Sequence, residues 1–266
     1  MNMNSPAPLG RFENKLKRLF ASGRAAWGCA LVDCSNVMAK MSISTGIDFL
    51  WVDLEHRPYY THEVQHVPIM CRLAGCPCVV RVAGLDPQLI KKALDIGANT
   101  VMVPQVNTAD EAKRAVEYAK YPPQGSRGIS PYWATFLDVN WNDYLPVAND
   151  ETAVIVQVET PEGIKNLDAI AAVDGVDVVF AGPMDLSASL GHIGRPEHPD
   201  VQKFLADFPQ RVIAAGKAAG ITFVDPDQCA KSYEQGYRFI SCGALVHHGT
   251  RGLTAELKRF RALEGA

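Results

Sequence analysis

Residues 152–185 read TAVIVQVETPEGIKNLDAIAAVDGVDVVFAGPMD and predict the architecture of the chain. It holds two apolar, β-branched runs typical of buried strands, with a helix-like segment between them. A strand, a helix and a second strand in this order predict a βαβ unit with parallel strands. Glu159 ends the first run and Asp185 closes the second, so neighbouring strands would bring both carboxylates to the same rim.

The pair of carboxylates predicts a site for a hard divalent cation. Oxygen ligands, with no Cys or His at that end of either run, favour Mg²⁺ or Mn²⁺ over a structural zinc. A metal held by only two protein carboxylates keeps coordination positions open for water and substrate. The sequence therefore predicts metal-assisted chemistry, on the condition that the two strands are parallel neighbours.

Strand-like and helix-like segments alternate along the whole chain. The strand-like runs are residues 25–33, 48–55, 77–83, 99–106, 152–159, 176–182, 220–225 and 238–244. Several segments between them open with Ser, Thr or Asp and close with Gly, as helices in βα repeats do. Eight repeats predict an α/β fold of the (β/α)₈ TIM barrel type, with active residues at the carboxyl ends of the strands.

The predicted domain organisation is one barrel over residues 1–266. Residues 1–20 are predicted as an N-terminal extension or helix. Residues 121–151 form a long insert before the fifth strand, without a strand-like run of their own. An open doubly wound sheet is the alternative architecture, but no GxGxxG follows the first strand and no GxxxxGK[ST] occurs.

Composition excludes several classes of protein. Hydrophobic residues make up 47% and charged residues 21%, with a formal net charge of −3, so nothing indicates binding to nucleic acid or to an anionic membrane. The N-terminal stretch lacks the apolar core of a signal peptide, which favours a cytoplasmic protein. Seven cysteines, an odd number, favour reduced and buried thiols.

The ends of the predicted strands carry a coherent set of polar residues. Any one of them has a structural explanation, since a lone His at a strand end is more often a hydrogen-bonded residue than a catalyst. Their joint placement favours a bound cation and a bound anion, because charged groups at the ends of buried strands need partners. The set is Asp53, Glu55, His56, Arg81, Gln157, Glu159 and Asp185.

Longer motifs carry a family resemblance. The motifs include WVDLEHRPYY (51–60), VVRVAGLDP (79–87), YPPQGSRG (121–128) and VQVETPEGIKNLDAI (156–170), followed by GPMDLS (182–187). With these motifs the chain resembles the HpcH/HpaI family of class II pyruvate-dependent aldolases, which includes 4-hydroxy-2-oxoheptanedioate aldolase and 2-dehydro-3-deoxyglucarate aldolase. The resemblance extends from about residue 27 to residue 243 and implies a barrel of the phosphoenolpyruvate/pyruvate type.

The resemblance implies a metal and substrate site. Glu159 and Asp185 match the metal ligands of the family, and the implied cofactor is Mg²⁺ or Mn²⁺, with Co²⁺ as an alternative and no organic cofactor. Gln157, the backbone N–H of Met184, Asp185 and Arg81 match the groups that contact the substrate.

The catalytic groups that the resemblance implies are His56, Arg81 and Asp95. His56 matches the general base, and Arg81 matches the cation that stabilises the enolate oxygen. Asp95 matches an acid that raises the basicity of the histidine. Its position at the end of a predicted helix places it on the opposite rim from His56, so it either approaches the site of a neighbouring subunit or is an ordinary helix residue.

The implied reaction is reversible aldol cleavage of a 4-hydroxy-2-oxo acid to pyruvate, or a related 2-oxo acid, and an aldehyde, through a metal-stabilised enolate. A Schiff-base aldolase needs a desolvated lysine on the rim, and Lys91, Lys92, Lys165 and Lys217 all fall in predicted helices. The alternatives are a carbon–carbon lyase of the citrate lyase β or malyl-CoA lyase type and a non-catalytic barrel subunit.

The partners implied are a small 2-oxo acid and an aldehyde. The amphipathic segment LTAELKRFRALEG (253–265) matches a helix that family members exchange between subunits of trimers or hexamers, although it equally fits a helix that closes its own barrel. For the aldehyde, Tyr132 and Trp133 favour bulky acceptors, unless they only pack the insert onto the barrel. An acidic aldehyde would instead use Arg127, His192 and Arg195, although each of them equally fits a solvated residue or one that supports a loop. The resemblance also matches Thr222 to an acceptor-facing position near a subunit boundary.

Overall fold

The computed structural model describes residues 12–263 and contains a closed barrel of eight parallel strands. The strands follow one another in chain order, and the last pairs with the first. The predicted barrel is therefore confirmed. The strands are β1 (Ala26–Ala30), β2 (Phe49–Asp53), β3 (Cys78–Arg81), β4 (Thr100–Val103), β5 (Ala153–Val158), β6 (Val178–Ala181), β7 (Ala218–Thr222) and β8 (Phe239–Ser241).

Helices surround the barrel, and several begin at a Ser, Thr or Asp whose side chain accepts a hydrogen bond from the first turn. The first helix closes the amino-terminal end of the barrel, where Leu16 and Leu19 join the interior core. The helices are α1 (Lys15–Ala21), α2 (Asn36–Ser44), α3 (Thr61–Val64), α4 (His66–Ala74), α5 (Pro87–Asp95), α6 (Ala109–Ala119), α7 (Trp141–Glu151), α8 (Pro161–Lys165), α9 (Leu167–Ala171), α10 (Pro183–Ser189), α11 (Pro199–Ala214), α12 (Pro226–Gln235) and α13 (Leu245–Ala262). Residues 1–11 of the predicted extension lie outside the described residues.

Alternation along the strands separates two apolar layers and positions the polar residues. In β5, Ile155 belongs to the core inside the barrel, whereas Val154 and Val156 belong to the core between the strands and the helices. Side chains two residues apart share a face of a strand. The same alternation therefore brings Gln157, and then Glu159, to the inner side of the carboxyl rim.

Large aromatic rings fill the inside of the barrel, and a glycine makes room for one of them. The rings of Phe49 and Phe239 stack with their centroids 4.1 Å apart. A Cβ on Gly28 would lie 2.5 Å from the ring of Phe49, so only glycine fits at this position of β1. The barrel is thus a packed core and leaves its opening only at the rims.

The boundary of the seventh strand differs from the prediction. The strand was expected at 220–225, after the alanine-rich stretch AAGKAAG (214–220), whose composition favours a helix. The observed helix α11 ends at Ala214, and Gly216 has a φ of +75°, a conformation that ends a helix. β7 therefore begins at Ala218 and ends at Thr222.

The insert of residues 121–151 contains a 3₁₀ helix, Tyr132–Leu137, and helix α7. Trp133 is fully buried in a cluster with Tyr121 and Tyr144, and the Arg72 guanidinium lies 3.7 Å from the centre of its ring. The insert joins the end of α6 to the start of β5, at the amino-terminal face. Trp133 therefore packs the insert onto the barrel, which was one of its two interpretations.

The C-terminal helix α13 packs weakly on its own chain. Within Leu245–Ala262 no residue is buried, and the apolar side chains of Leu253, Leu257 and Phe260 are exposed. Among the described helices, none combines the length and the apolar character needed to cross a membrane.

Candidate active site

Glu159 and Asp185 follow two strands that are parallel neighbours, which was the condition for the predicted metal site. β5 and β6 are parallel neighbours, with Gln157 opposite Phe180 and Val158 opposite Ala181. Glu159 directly follows β5, and Asp185 lies in the first turn of α10, which begins shortly after β6. Both side chains therefore leave the barrel at the same carboxyl rim.

Arg81 is held in place by the end of the neighbouring strand. Asp53 and Arg81 are partners in the register of β2 and β3, and Asp53 accepts two hydrogen bonds from the guanidinium, at 2.9 and 2.7 Å. Arg81 Nη1 also lies 2.9 Å from Glu55 Oε2. Burial alone would raise the pKa of Asp53, but the hydrogen bonds and charge of Arg81 lower it below its ordinary value. Arg81 is thus a fixed, buried cation.

Glu159 is fixed by two donors and by a close approach of backbone. The Gln157 amide donates to its Oε2, and the backbone N–H of Gln105 donates to its Oε1 at 3.1 Å. A Cβ on Gly182 would lie 2.5 Å from Glu159 Oε2 and 2.8 Å from Gln157 Nε2. A larger residue would therefore displace the Glu159 carboxylate or the Gln157 amide where the loop after β6 passes over them.

The electrostatics of the rim fit a bound cation. Burial, and then the charges of Asp185 and Glu55, raise the pKa of Glu159 to about 7. Burial also raises the pKa of Glu55, and the carboxylates of Asp53 and Asp185 add to the effect. Carboxylates that repel one another in a buried place are typical of a divalent-cation site, because the cation removes both the repulsion and the cost of burial.

His56 lies at the mouth of the site. Its Nε2 is 3.6 Å from Glu55 Oε2 and 3.9 Å from Asp185 Oδ2, and 55% of its side chain is exposed. The histidine therefore reaches the acidic cluster from the solvent side, where a proton acceptor can exchange with water.

A cavity of about 350 Å³ opens among these residues. Its size suits a small molecule rather than a macromolecule. Six of the residues singled out in the sequence line it: His56, Arg81, Gln157, Met184, Asp185 and Thr222. Met184 is the second residue of α10, where a backbone N–H has no partner within the helix.

The other wall of the cavity is mostly apolar. Thr222, Phe223 and Val224 form it from the end of β7, and Pro196 adds to it from the segment before α11. Apart from Thr222, which matched an acceptor-facing position, none of these was singled out in the sequence. No motif marks Phe223 or Val224, because they begin a loop whose path the sequence does not specify.

Asp53 and Glu55 also have a larger part in the site than the sequence indicated. Both were noted at the end of the second strand, but neither was given a role. The spacing Asp-x-Glu-His is the available signal, since alternation turns Asp53 and Glu55 to the inner face of the same strand.

Asp95 does not reach the cavity in its own chain. It ends α5 at the amino-terminal face, and its Oδ1 accepts a hydrogen bond from Arg127 Nη2 at 2.7 Å. Burial raises its pKa despite the pairing with Arg127. Its role at His56 remains a prediction. Arg127, expected to meet an acidic aldehyde, is buried in this pair instead.

The other residues that were expected to contact the aldehyde, His192, Arg195 and Tyr132, do not line the cavity either. His192 pairs with Asp200, and Tyr132 packs edge-on against Phe136. Among the described residues that line the cavity there is no lysine. Lys120 is buried and its pKa is lowered to about 8, chiefly by burial, but it donates to backbone carbonyls next to the start of β5. A Schiff base has no candidate in this cavity.

Known proteins identify the family. A model of the HpcH/HpaI aldolase/citrate lyase family matches residues 31–250. The chain belongs to this family. The description of the family names aldolases and citrate lyases, so the expectation of an aldolase-type lyase is confirmed at that level.

The similarity to individual relatives extends over nearly the whole of this chain. A 4-hydroxy-2-oxo-heptane-1,7-dioate aldolase from Klebsiella pneumoniae is 42% identical over 253 residues, which are 93% of this chain and 94% of the relative. A 2-keto-3-deoxy-L-rhamnonate aldolase from the same organism is 39% identical over 253 residues, 94% of each chain. A crystal structure of a family member from Burkholderia cenocepacia has a TM-score of 0.86 at 36% identity, covering 93% of this chain and 99% of that one.

Proposed function

We propose that the protein is a class II aldolase that reversibly cleaves a 4-hydroxy-2-oxo acid to pyruvate, or a related 2-oxo acid, and an aldehyde. The observation that carries the proposal is the convergence of Glu55, Glu159 and Asp185 beside the buried cation Arg81 at one rim of the barrel. The carboxylates favour a bound metal cation, and the Arg81 guanidinium favours the carboxylate of a 2-oxo acid. The site therefore fits a metal and a 2-oxo acid that bind side by side.

Glu159 and Asp185 would hold the divalent cation, with Mg²⁺ or Mn²⁺ preferred by the oxygen ligands and Co²⁺ as an alternative. When bound, the cation supplies a Lewis acid for the negative charge that develops on the 2-oxo group. Glu55, whose carboxylate lies close enough to influence the pKa of Glu159, adds negative charge that attracts the cation to the pair.

The protein side chains perform the remaining steps. Arg81, with Gln157 and the backbone N–H of Met184, orients the 2-oxo acid and stabilises the charge that moves onto its oxygen. His56 accepts the proton of the 4-hydroxyl as the bond between C3 and C4 breaks and the aldehyde forms. A proton returned to C3 then completes pyruvate. In the reverse direction the same imidazole would return the proton to the oxygen of the aldehyde.

Asp95 keeps a role only in a neighbouring subunit's site, because it lies at the opposite face of its own barrel. The exposed apolar side of α13 supports an oligomer in which this helix packs on a second copy, as a trimer or hexamer. Leu257→Glu should then reduce the mass measured by sedimentation, whereas Lys258→Glu, as a control on the same helix, should not. An unchanged mass for L257E would contradict helix exchange.

The apolar wall supports an aldehyde with an apolar or aromatic tail. Of the described residues that line the cavity, Arg81 is the only Lys or Arg, and its charge is engaged by Asp53 and Glu55. This also disfavours a citrate lyase β or malyl-CoA lyase activity, since phosphate groups of CoA need several cations. The expectation of bulky acceptors thus rests on Phe223 and Val224 rather than on Tyr132 and Trp133.

The cytoplasm remains the proposed compartment. All seven cysteines are free in the described chain, and six of them are buried, as expected where thiols stay reduced.

The direct test is release of pyruvate from 4-hydroxy-2-oxo acids after treatment with EDTA and after adding Mg²⁺ or Mn²⁺. Activity should disappear on chelation and return with metal, and aldehydes with apolar or aromatic tails should be accepted in the reverse direction. Activity that is indifferent to EDTA would overturn the metal route. Failure with every aldehyde of an acidic, polyhydroxylated, apolar and aromatic panel would favour a non-catalytic barrel.

A further inference from the structure

A second group of metal-binding side chains lies outside the carboxylate pair. His192 and His198 belong to the segment between α10 and α11, and Asp200 lies in the first turn of α11. His192 Nε2 is 3.1 Å from Asp200 Oδ2, and His198 Nδ1 is 3.6 Å from the same oxygen. One ligand atom from each of the three residues lies within 4.8 Å of the other two.

The backbone holds the two histidines in this arrangement. The N–H of His192 donates to Ser187 O at 2.7 Å, and that of Arg195 donates to His192 O at 2.9 Å. The N–H of His198 then donates to Arg195 O at 3.0 Å, so the segment forms consecutive turns. The two imidazole rings stack with their centroids 3.4 Å apart, and only 20% and 28% of their side chains are exposed. Little side-chain entropy is left to lose on binding a ligand.

The donor set selects the kind of ligand. Two imidazole nitrogens and one carboxylate oxygen suit borderline divalent cations such as Zn²⁺, Co²⁺ or Ni²⁺, whereas Mg²⁺ prefers oxygen alone. We propose that His192, His198 and Asp200 form a second metal site, for a borderline transition-metal cation, distinct from the all-oxygen site of Glu159 and Asp185.

Binding needs only local changes. The proton through which His192 Nε2 bonds to Asp200 moves to the other ring nitrogen, which leaves a lone pair for the cation. His198 Nδ1 is unprotonated, since it accepts a hydrogen bond from Asp200 N at 3.3 Å, and its one lone pair would exchange this donor for the cation. Asp200 is 68% exposed, so water can complete the coordination.

The position gives the site a structural consequence. Pro196 lies between the two histidines in the chain and lines the catalytic cavity. A cation that joins His192 to His198 fixes both ends of the segment that presents Pro196 to the aldehyde side of the cavity.

The test is a titration of EDTA-treated, untagged protein with Co²⁺, followed by calorimetry and by the visible absorption of the bound metal. The wild type should bind two Co²⁺ per chain, whereas His192→Asn and Asp200→Asn should each lose at least about tenfold in affinity for one of them. His62→Asn, on an exposed histidine that stacks on Tyr60, is the matched control and should bind two. His192→Asn should keep the Mg²⁺-dependent release of pyruvate.

A Glu159→Gln titration separates the two sites. This variant should lose the other Co²⁺ and keep the one that His192 binds. Two Co²⁺ bound with unchanged affinity by both His192→Asn and Asp200→Asn, or only one bound by the wild type, would overturn the second site. If E159Q still binds two Co²⁺ per chain with unchanged affinity, the result would instead contradict the proposed metal ligands Glu159 and Asp185.

Discussion

Replacing Glu159 by Gln should stabilise the metal-free protein above neutral pH and abolish the proposed metal-dependent reaction. Burial first, and then the charges of Asp185 and Glu55, raise the pKa of this carboxyl from 4.5 to about 7. Without a cation, the folded protein therefore resists ionisation of Glu159. The glutamine side chain keeps the shape of the carboxyl and cannot ionise.

The sign and size follow from the raised pKa. A folded-state pKa above the unfolded value contributes stability that is fully present below about pH 4.5 and is lost as the pH rises through about 7. At about 1.4 kcal/mol per pH unit, the loss is about 3 kcal/mol for the wild type. Gln105 N–H and the Gln157 amide both donate to Glu159, and one of them loses its acceptor in the variant. That cost is the same at every pH, so it cancels from the comparison between two pH values.

The assay is urea unfolding in EDTA at pH 4.5 and pH 8, with pyruvate release in Mg²⁺ measured in parallel. The free energy of unfolding of E159Q, relative to wild type, should rise by about 3 kcal/mol between the two pH values. Asp185→Asn, at a half-exposed position, should show a smaller change. Equal pH dependence of E159Q and wild type would refute the buried-charge argument, and full Mg²⁺-dependent activity of E159Q would refute the ligand assignment.

Three further variants test other parts of the site. Arg81→Lys keeps the charge but not the two hydrogen bonds to Asp53, so kcat/KM for pyruvate formation should fall at least about 10²-fold, with circular dichroism as the check on folding. Gly182→Ala places a Cβ 2.5 Å from Glu159 Oε2 and should weaken activation by Mg²⁺. Gly84→Ala, which has open space around its Cβ, should not weaken it. Equal effects of the two substitutions would contradict the close approach at Gly182. Val224→Arg adds a cation to the apolar wall, so the ratio of kcat/KM for acidic aldehydes to kcat/KM for apolar aldehydes should rise about tenfold. An unchanged ratio would show that the wall does not contact the aldehyde.

The architecture was readable from the sequence because each strand is a compact apolar run between capped helices. β5 and β6 lie where the runs predicted them, and their adjacency follows from the order of a βαβ unit. The error at β7 has a local cause, since AAGKAAG favours a helix by composition and only the left-handed conformation of Gly216 ends it. The sequence alone does not show that a glycine inside an alanine-rich run adopts a positive φ.

The candidate site was partly readable for a related reason. Alternation along a strand places Arg81, Gln157 and Glu159 on the inner face, so residue spacing alone brings them together. The bidentate pairing of Arg81 with Asp53 depends on the register between two strands, which spacing does not supply. The apolar wall at Phe223 and Val224 depends on the path of the chain after β7.

Two perturbed groups show why position in the fold, rather than pKa, decides between structure and function. Burial raises the pKa of Glu159 to about 7 and lowers that of Lys120 to about 8, so both titrate near neutrality. Lys120 donates to the carbonyls of Asn149 and Thr152, and these contacts fasten the insert to the start of β5. Glu159 lies at the opposite end of the same strand, beside Asp185 at the open rim. The lysine has protein acceptors for its protons, whereas Glu159, besides its two neutral donors, faces the further negative charge of Asp185 and Glu55. Only Glu159 therefore has a reason to bind something from solution, and a divalent cation is what that surplus of charge selects.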